Sequence, residues 1–247
     1  MLQLRAIAGP TGRLLKAKLA EKGLLGRPVK AVVNYGYGGP LGEMHDLPIL
    51  NEYAGQRNKY EELVRLDEEG VRTIPFSNNA LDLKAPIFGR KFHHTRGNDI
   101  FIYNVRPLLR GDRLSDYYTQ LVSKQTEYRV WVFRAKWLAT YEKKLEYPNR
   151  YGRRGRSKEV WNWSNGFAYK FVDPEDVCPN LKQIAVDAVA AMNLDFGGVD
   201  VILGNDGRYY VLEVNSAPGT QGEARQGITS LVNCIERWAK NGFKGRA

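Results

Sequence analysis

Asp200, Glu213 and Asn215 carry oxygen donors at a spacing that suits a hard divalent cation. They lie in Gly197-Gly198-Val199-Asp200-Val201-Ile202-Leu203-Gly204-Asn205-Asp206-Gly207-Arg208-Tyr209-Tyr210-Val211-Leu212-Glu213-Val214-Asn215. Two β-rich runs flank Asp206-Gly207, the dipeptide favoured in a two-residue type I′ hairpin turn. With that turn, Asn205 pairs with Arg208, and counting back sets Asp200 opposite Glu213. Val199, Val201 and Leu203 then meet Val214, Leu212 and Tyr210 on the other, apolar face. Asn215, two residues from Glu213, shares the face of Asp200.

Facing Cβ atoms lie roughly 4.5–5.5 Å apart, and like charges there repel. A magnesium ion resolves the conflict, because it takes carboxylate and amide oxygens together with phosphates and water. An exposed hairpin with two tolerated acids is the other reading. It explains the turn and the apolar face, but not why both acids meet in the middle of apolar strands. A one-residue slip would send Asp200 to the opposite face.

The elements that must position this hairpin follow from periodicity and turn residues. Thr11 can cap a helix with Leu14, Leu15 and Leu19 on one face, ending near Gly23. Val29 to Asn34 reads as a short apolar strand, broken by Gly36, Gly38, Gly39 and Pro40. Asn58 can cap a helix carrying Tyr60, Leu63, Val64 and Leu66, which stops at Gly70. Strands are expected over Pro86–Phe92, Asp99–Asn104, Glu127–Arg134, Lys136–Tyr141 and Phe167–Val172. Leu181, Ile184, Ala185, Ala188 and Met192 form one helical stripe, and Ile228, Leu231, Ile235 and Trp238 another. Strand clusters interrupted by helices, rather than strict βαβ alternation, predict an α+β fold with largely antiparallel sheets.

The 247 residues carry a formal charge of +10, which favours a polyanionic partner such as ATP, an acidic peptide or nucleic acid. Arg150, Arg153, Arg154, Arg156 and Lys158 concentrate part of that charge, either as a solvated loop or as a substrate-binding loop. No apolar run approaches the roughly 20 residues needed to span a bilayer, and the N-terminus lacks a signal-peptide pattern, so a cytoplasmic protein is expected. Cys178 and Cys234 are far apart with no partner at metal spacing, which predicts free thiols.

The hairpin resembles that of the ATP-grasp superfamily, especially carboxylate–amine ligases such as D-alanine–D-alanine ligase and ribosomal-protein glutamate ligases. In that family an Asp on one strand and a Glu-x-Asn on the next hold the magnesium ions that bridge ATP phosphates. Asp200 and Glu213-Val214-Asn215 match, coupled to Phe196-Gly197-Gly198-Val199 before them and Ser216-Ala217-Pro218-Gly219 after. Asn58-Lys59, Leu63, Leu66, Glu69-Gly70-Val71 and Pro75 look like the helix that opens the ATP-binding part. Arg90-Lys91 is similar to the phosphate-contacting basic position, and Gly89 with Thr95-Arg96-Gly97 to the loop that closes over the phosphates. Glu127-Tyr128-Arg129-Val130 resembles the acidic-x-Arg strand of the glutamate-ligase branch. Gln120-Leu121-Val122 falls where the adenine-contacting hinge is expected.

The resemblance implies two α+β lobes clasping ATP, with a shortened N-terminal region at 1–57, a small lobe at 58–119 and a large lobe at 120–247. It implies an ADP-forming ligase that joins a carboxylate to an amine through an acyl phosphate. Asp200, Glu213 and Asn215 would hold Mg²⁺ (or Mn²⁺), Arg90 or Lys91 and Glu127 would serve ATP, and Arg129 the transferred phosphoryl group. Arg129 could instead be the cross-strand ion-pair partner of an acid. His93 and His94 fall in the closing loop, as phosphate contacts or as solvent-facing residues. Asn165, Arg154 and Arg156 are substrate-site candidates, beside Trp161 and Trp163, which more often pack than bind. The same basic and aromatic residues could instead stack bases, which would make the chain a nucleic-acid-binding or nucleotide-modifying protein.

Overall fold

In the computed structural model the residues described are 1–41, 44, 46–55, 57–92, 101–104, 115–151, 159–219 and 225–244. The chain opens with strand β1 (Leu2–Ala6), helix α1 (Pro10–Glu21), β2 (Ala31–Tyr35) and the short β3 (Ile49–Leu50). These strands form a parallel sheet in the order β1-β2-β3. The β1–α1–β2 unit is a single βαβ connection, and the two larger sheets of the α+β fold are antiparallel as expected. Pro10 occupies the first turn of α1 after Gly9, so Thr11 lies inside the helix and no side chain caps it. Proline supplies the φ a helix start needs and loses no hydrogen bond there.

Helix α2 (Lys59–Glu68) starts as the sequence predicts. The Asn58 side chain accepts from the Tyr60 and Glu61 N–H groups at 3.0 Å, and Glu61 accepts back from the Asn58 N–H. This reciprocal box satisfies donors that would otherwise be orphaned. Gly70, at φ +73°, ends the segment in a left-handed conformation that costs glycine little. A small antiparallel sheet follows, ordered β4 (Phe76–Ser77), β7 (Tyr117–Gln120), β5 (Ile87–Arg90) and β6 (Phe101–Tyr103). Ala80, Leu83, Ile87 and Tyr118 form its own small core.

The large antiparallel sheet runs β10 (Phe167–Val172), β9 (Lys136–Leu145), β8 (Lys124–Phe133), β11 (Phe196–Gly204), β12 (Tyr209–Asn215). Strand alternation gives it two different faces. Val130, Val132, Val199, Val201 and Val211 pack under helix α3 (Pro179–Ala191) through Leu181, Ala185, Ala188 and Val189. Trp131, Phe133, Ala139 and Phe196 point the other way, against Ile228, Leu231 and Ile235 of helix α4 (Arg225–Lys240) and against Leu2, Val33 and Tyr35. The N-terminal sheet therefore shares a core with the large sheet. Gly227 brings α4 close: a Cβ there would stand 2.6 Å from the Trp131 indole, and its N–H donates to the Tyr141 hydroxyl at 2.7 Å.

Farther along β8, on the face that carries Trp131, come Arg129 and Glu127. The sheet face that is core beneath α4 thus becomes the wall of a cleft. Cys178 and Cys234 are both free. Among the described residues no helix is long and apolar enough to cross a membrane.

Candidate active site

The β11–β12 hairpin sets Asp200 opposite Glu213, Gly198 opposite Asn215 and Val199 opposite Val214. The turn that produces this register differs from the expected one. The Gly204 N–H donates to the Arg208 carbonyl at 2.9 Å and the Gly207 N–H to the Gly204 carbonyl at 3.0 Å, with Gly207 at φ +76°. The loop is therefore three residues, Asn205-Asp206-Gly207, and pairs Leu203 with Tyr209 and Val201 with Val211. A β-bulge between Asp200 and Val201 absorbs Leu212 and shifts the register back by one. The two offsets cancel at the acids. They do not cancel between them, so the expected pairs Val201–Leu212 and Leu203–Tyr210 do not form. Leu212 instead lines the cleft with Ile202.

Gly198 keeps this end open to a close crossing. A Cβ there would lie 2.5 Å from Pro218, which folds back after Asn215. The Tyr35 hydroxyl fixes that turn by donating to the Pro218 carbonyl at 2.6 Å.

Cations surround the acids. Arg129 donates from Nε and Nη2 to the two Asp200 oxygens at 2.7 and 2.8 Å, a bidentate pair, with its guanidinium 4.7 Å from the Tyr169 ring centroid. Asp200 is only 5 % exposed, so the pairing is what makes its charge tolerable. Lys59 lies 3.0 Å from Glu213 and 3.3 Å from Glu62, and the Asn215 amide donates to Glu213 at 2.8 Å. Burial pushes the Glu213 carboxyl up, but Lys59 and Arg129 outweigh it and hold it well below the usual carboxylate range. Burial likewise opposes the Glu127 carboxylate, and Lys124 at 2.7 Å together with Lys143 overcomes it, bringing the pKa down to about 2. Lys143 also reaches to 4.0 Å from Asp200.

Apart from Glu62, these groups line a cleft of about 950 Å³ between the small and large sheets. Gln120, Leu121 and Val122 line it at the junction, where the Gln120 and Leu121 N–H groups donate to the Pro75 and Pro86 carbonyls at 2.8 and 2.9 Å. Arg90 enters the cleft and donates to Thr119 at 3.0 Å, whereas Lys91 turns outward to Asp116 at 3.3 Å. Arg90 is the last residue of β5, and Lys91, just past its end, does not line the cleft. Asn165, expected as a substrate contact, lies behind the cleft-lining Asn162, Trp163 and Ser164. It is buried, accepts no place in the cleft wall, and uses its amide to donate to the Val160 carbonyl at 2.6 Å while its N–H donates to Asn162. Trp161, stacked on Phe167 at 4.8 Å and faced by Lys124, lines the cleft instead. Arg154, Arg156, His93, His94 and Thr95-Arg96-Gly97 lie outside the described residues.

Glu62, Lys124, Lys143 and Tyr169 are not singled out by sequence, and Lys59 only as part of a helix start. Their contacts are long-range or cross-strand, and no spacing marks them. Glu62 left one trace: it sits four residues before the buried Leu66, on the packed side of α2.

The donor set bears on the metal question. No group of three or more His, Cys, Asp and Glu side chains gathers among the described residues. The Asp200, Glu213 and Asn215 set is two carboxylates and an amide, all hard oxygen donors of the kind Mg²⁺ takes alongside phosphate oxygens and water. The Arg129 guanidinium and the Lys59 ammonium sit on those carboxylates and mark where positive charge is favoured. The residues fit a magnesium ion.

The chain has the ATP-grasp fold. It superposes on the ATP-grasp ligase PsnB complexed with minimal precursor, Mg and ADP with a TM-score of 0.67, covering 96% of both chains at 13% identity. It also matches D-alanine–D-alanine ligase from Bacillus anthracis with a TM-score of 0.63, over 98% of this chain and 97% of the other, again at 13% identity. At that identity it is the fold that is shared. Residues 153–238 match the RimK-like ATP-grasp domain. Coenzyme gamma-F420-2:alpha-L-glutamate ligase from Methanococcus maripaludis is 38% identical over 73 residues, 28% of this chain and 25% of that protein. Ribosomal protein bS6–L-glutamate ligase from Shigella boydii is 39% identical over 67 residues, 26% of this chain and 22% of that protein. The matched stretch thus spans about a quarter of the length of these curated relatives.

Proposed function

We propose that this chain is a Mg·ATP-dependent carboxylate–amine ligase that forms an amide bond and releases ADP and phosphate. The observation that carries the reading is the cleft face where Asp200, Glu213 and Asn215 meet Arg129, Lys143 and Lys59 beside Arg90. Fixed cations around a hard-donor set suit a triphosphate and the charge that develops as its terminal phosphoryl group moves. Residues 58–119 then form the small lobe, 120–247 the large lobe, and 1–57 an N-terminal region.

On this reading Gln120, Leu121 and Val122 receive the adenine at the junction, and Trp161 closes that end. Arg90 and Lys143 face the phosphates, with Glu127 holding Lys143 in place. Asp200, Glu213 and Asn215 hold Mg²⁺, or Mn²⁺ with the same oxygen preference, and the ion neutralises phosphate charge when bound. Arg129, shared between Asp200 and the open cleft, stabilises the transferred phosphoryl group. A substrate carboxylate oxygen attacks the terminal phosphorus, ADP leaves, and an amine nitrogen then displaces phosphate from the acyl carbon and loses a proton. The names of the matched relatives make L-glutamate the first amine to offer, and the precursor-peptide complexes of PsnB make a polypeptide the first carboxylate.

The test is ADP release from Mg·ATP with pooled acidic peptides and L-glutamate or other amino acids. We expect turnover that needs magnesium, a carboxylate and an amine together. Binding of nucleic acid without ADP release in any mixture would overturn the ligase reading in favour of a binding module.

A further inference from the structure

Strand β12 is the edge of the large sheet, so its outward N–H groups need partners from whatever covers that edge. The segment before the small sheet supplies them. The Val211 N–H donates to the Arg72 carbonyl at 2.9 Å, and the Val214 N–H donates to the Glu62 carboxylate on α2. Glu62 is 5 % exposed and also meets the Lys59 ammonium. Lys59 therefore bridges two carboxylates, Glu213 in the candidate metal site and Glu62 outside it.

A neutral amide at position 62 would keep an acceptor for the Val214 N–H, though a weaker one than the carboxylate. Among the described residues the negative charge of Glu62 has one cation beside it, the Lys59 ammonium at 3.3 Å. A divalent cation on Glu213 would repel an ammonium held 3.0 Å from the same carboxylate. That repulsion favours moving Lys59, whose side chain is 27 % exposed, off Glu213 and onto another counter-charge within reach.

We propose that Glu62 is a positioning residue: it is the alternative seat that receives Lys59 when a divalent cation takes Glu213. This rests on the ligase reading above. Without that seat the ammonium stays on Glu213 and competes with the metal.

The test is Mn²⁺ binding, counted by electron paramagnetic resonance, to the full chain saturated with a non-hydrolysable ATP analogue. We expect E62Q to weaken Mn²⁺ binding about tenfold, and the same change made in a K59Q background to alter it by less than about twofold. An E62Q affinity equal to wild type would overturn the proposal. So would an equal loss in both backgrounds, because a purely structural role for Glu62 does not depend on Lys59. If E62Q fails to fold, K59Q alone decides: it should bind Mn²⁺ at least as tightly as wild type, and weaker binding overturns the proposal. A wild-type chain that binds no Mn²⁺ with the analogue overturns the ligase reading itself, and this inference with it.

Discussion

Replacing Glu213 with Gln should lower Mg·ATP-dependent turnover by at least about a hundredfold, the scale of removing one group that stabilises transition-state charge. The change is isosteric. The amide oxygen can still accept from Asn215, and Lys59 retains Glu62 at 3.3 Å. Unfolding stability should therefore fall by no more than about 1 kcal/mol, the value of one partly exposed ion pair. The signature is the split between the two measurements, steady-state ADP release and urea unfolding in the same buffer. Turnover within about twofold of wild type would remove Glu213 from the site.

Arg129→Met should have the largest effect on folding. Both Asp200 oxygens depend on the guanidinium, and Lys143, at 4.0 Å, is a distant substitute that Glu127 already claims. Stripping one partner from a buried pair leaves an uncompensated charge and costs about 3–5 kcal/mol. Replacing both residues, R129M with D200N, should recover most of that loss, because the buried charge goes with its partner. Turnover should recover in neither. Urea unfolding of the two variants makes the comparison, and a loss below about 1 kcal/mol in R129M would show that Arg129 does not neutralise Asp200 in the folded protein.

The residues that hold this site together differ in how visible they were beforehand. The acid pair was legible because it sits on a hairpin, where short-range turn chemistry and alternation determine what faces what. Even there the route differed: a longer loop at Asn205-Asp206-Gly207 and a bulge at Leu212 each moved the register by one residue, in opposite senses. The choice between Arg90 and Lys91 required knowing which face of β5 meets the cleft, and only the packing of the small sheet sets that. Asn165 looked like a polar group beside tryptophans, yet its amide closes its own turn, a use that asparagine shares with binding and that composition does not separate.

The N-terminal strands were the least legible elements. β3 is two residues long and too short to mark itself, whereas β1 does alternate, Leu2-Gln3-Leu4-Arg5-Ala6, a half-buried strand signal that only five residues carry. Their pairing with β2 comes from long-range packing on the α4 side of the large sheet. Lys59 shows the same limit from the functional side. In sequence it marks only a helix start, and its place between Glu62 and Glu213 arises only when α2 covers the edge of β12.

The central claim is that the Asp200–Glu213–Asn215 face binds a divalent cation with nucleotide in the cleft. Anomalous X-ray scattering from a crystal grown with Mn²⁺ and a non-hydrolysable ATP analogue tests it most directly. The account predicts an anomalous peak within about 2.0–2.5 Å of oxygens from Asp200, Glu213 and Asn215 and of the analogue's phosphates. A peak elsewhere, or nucleotide bound with Arg129 still clasping Asp200 and no metal between them, would contradict it.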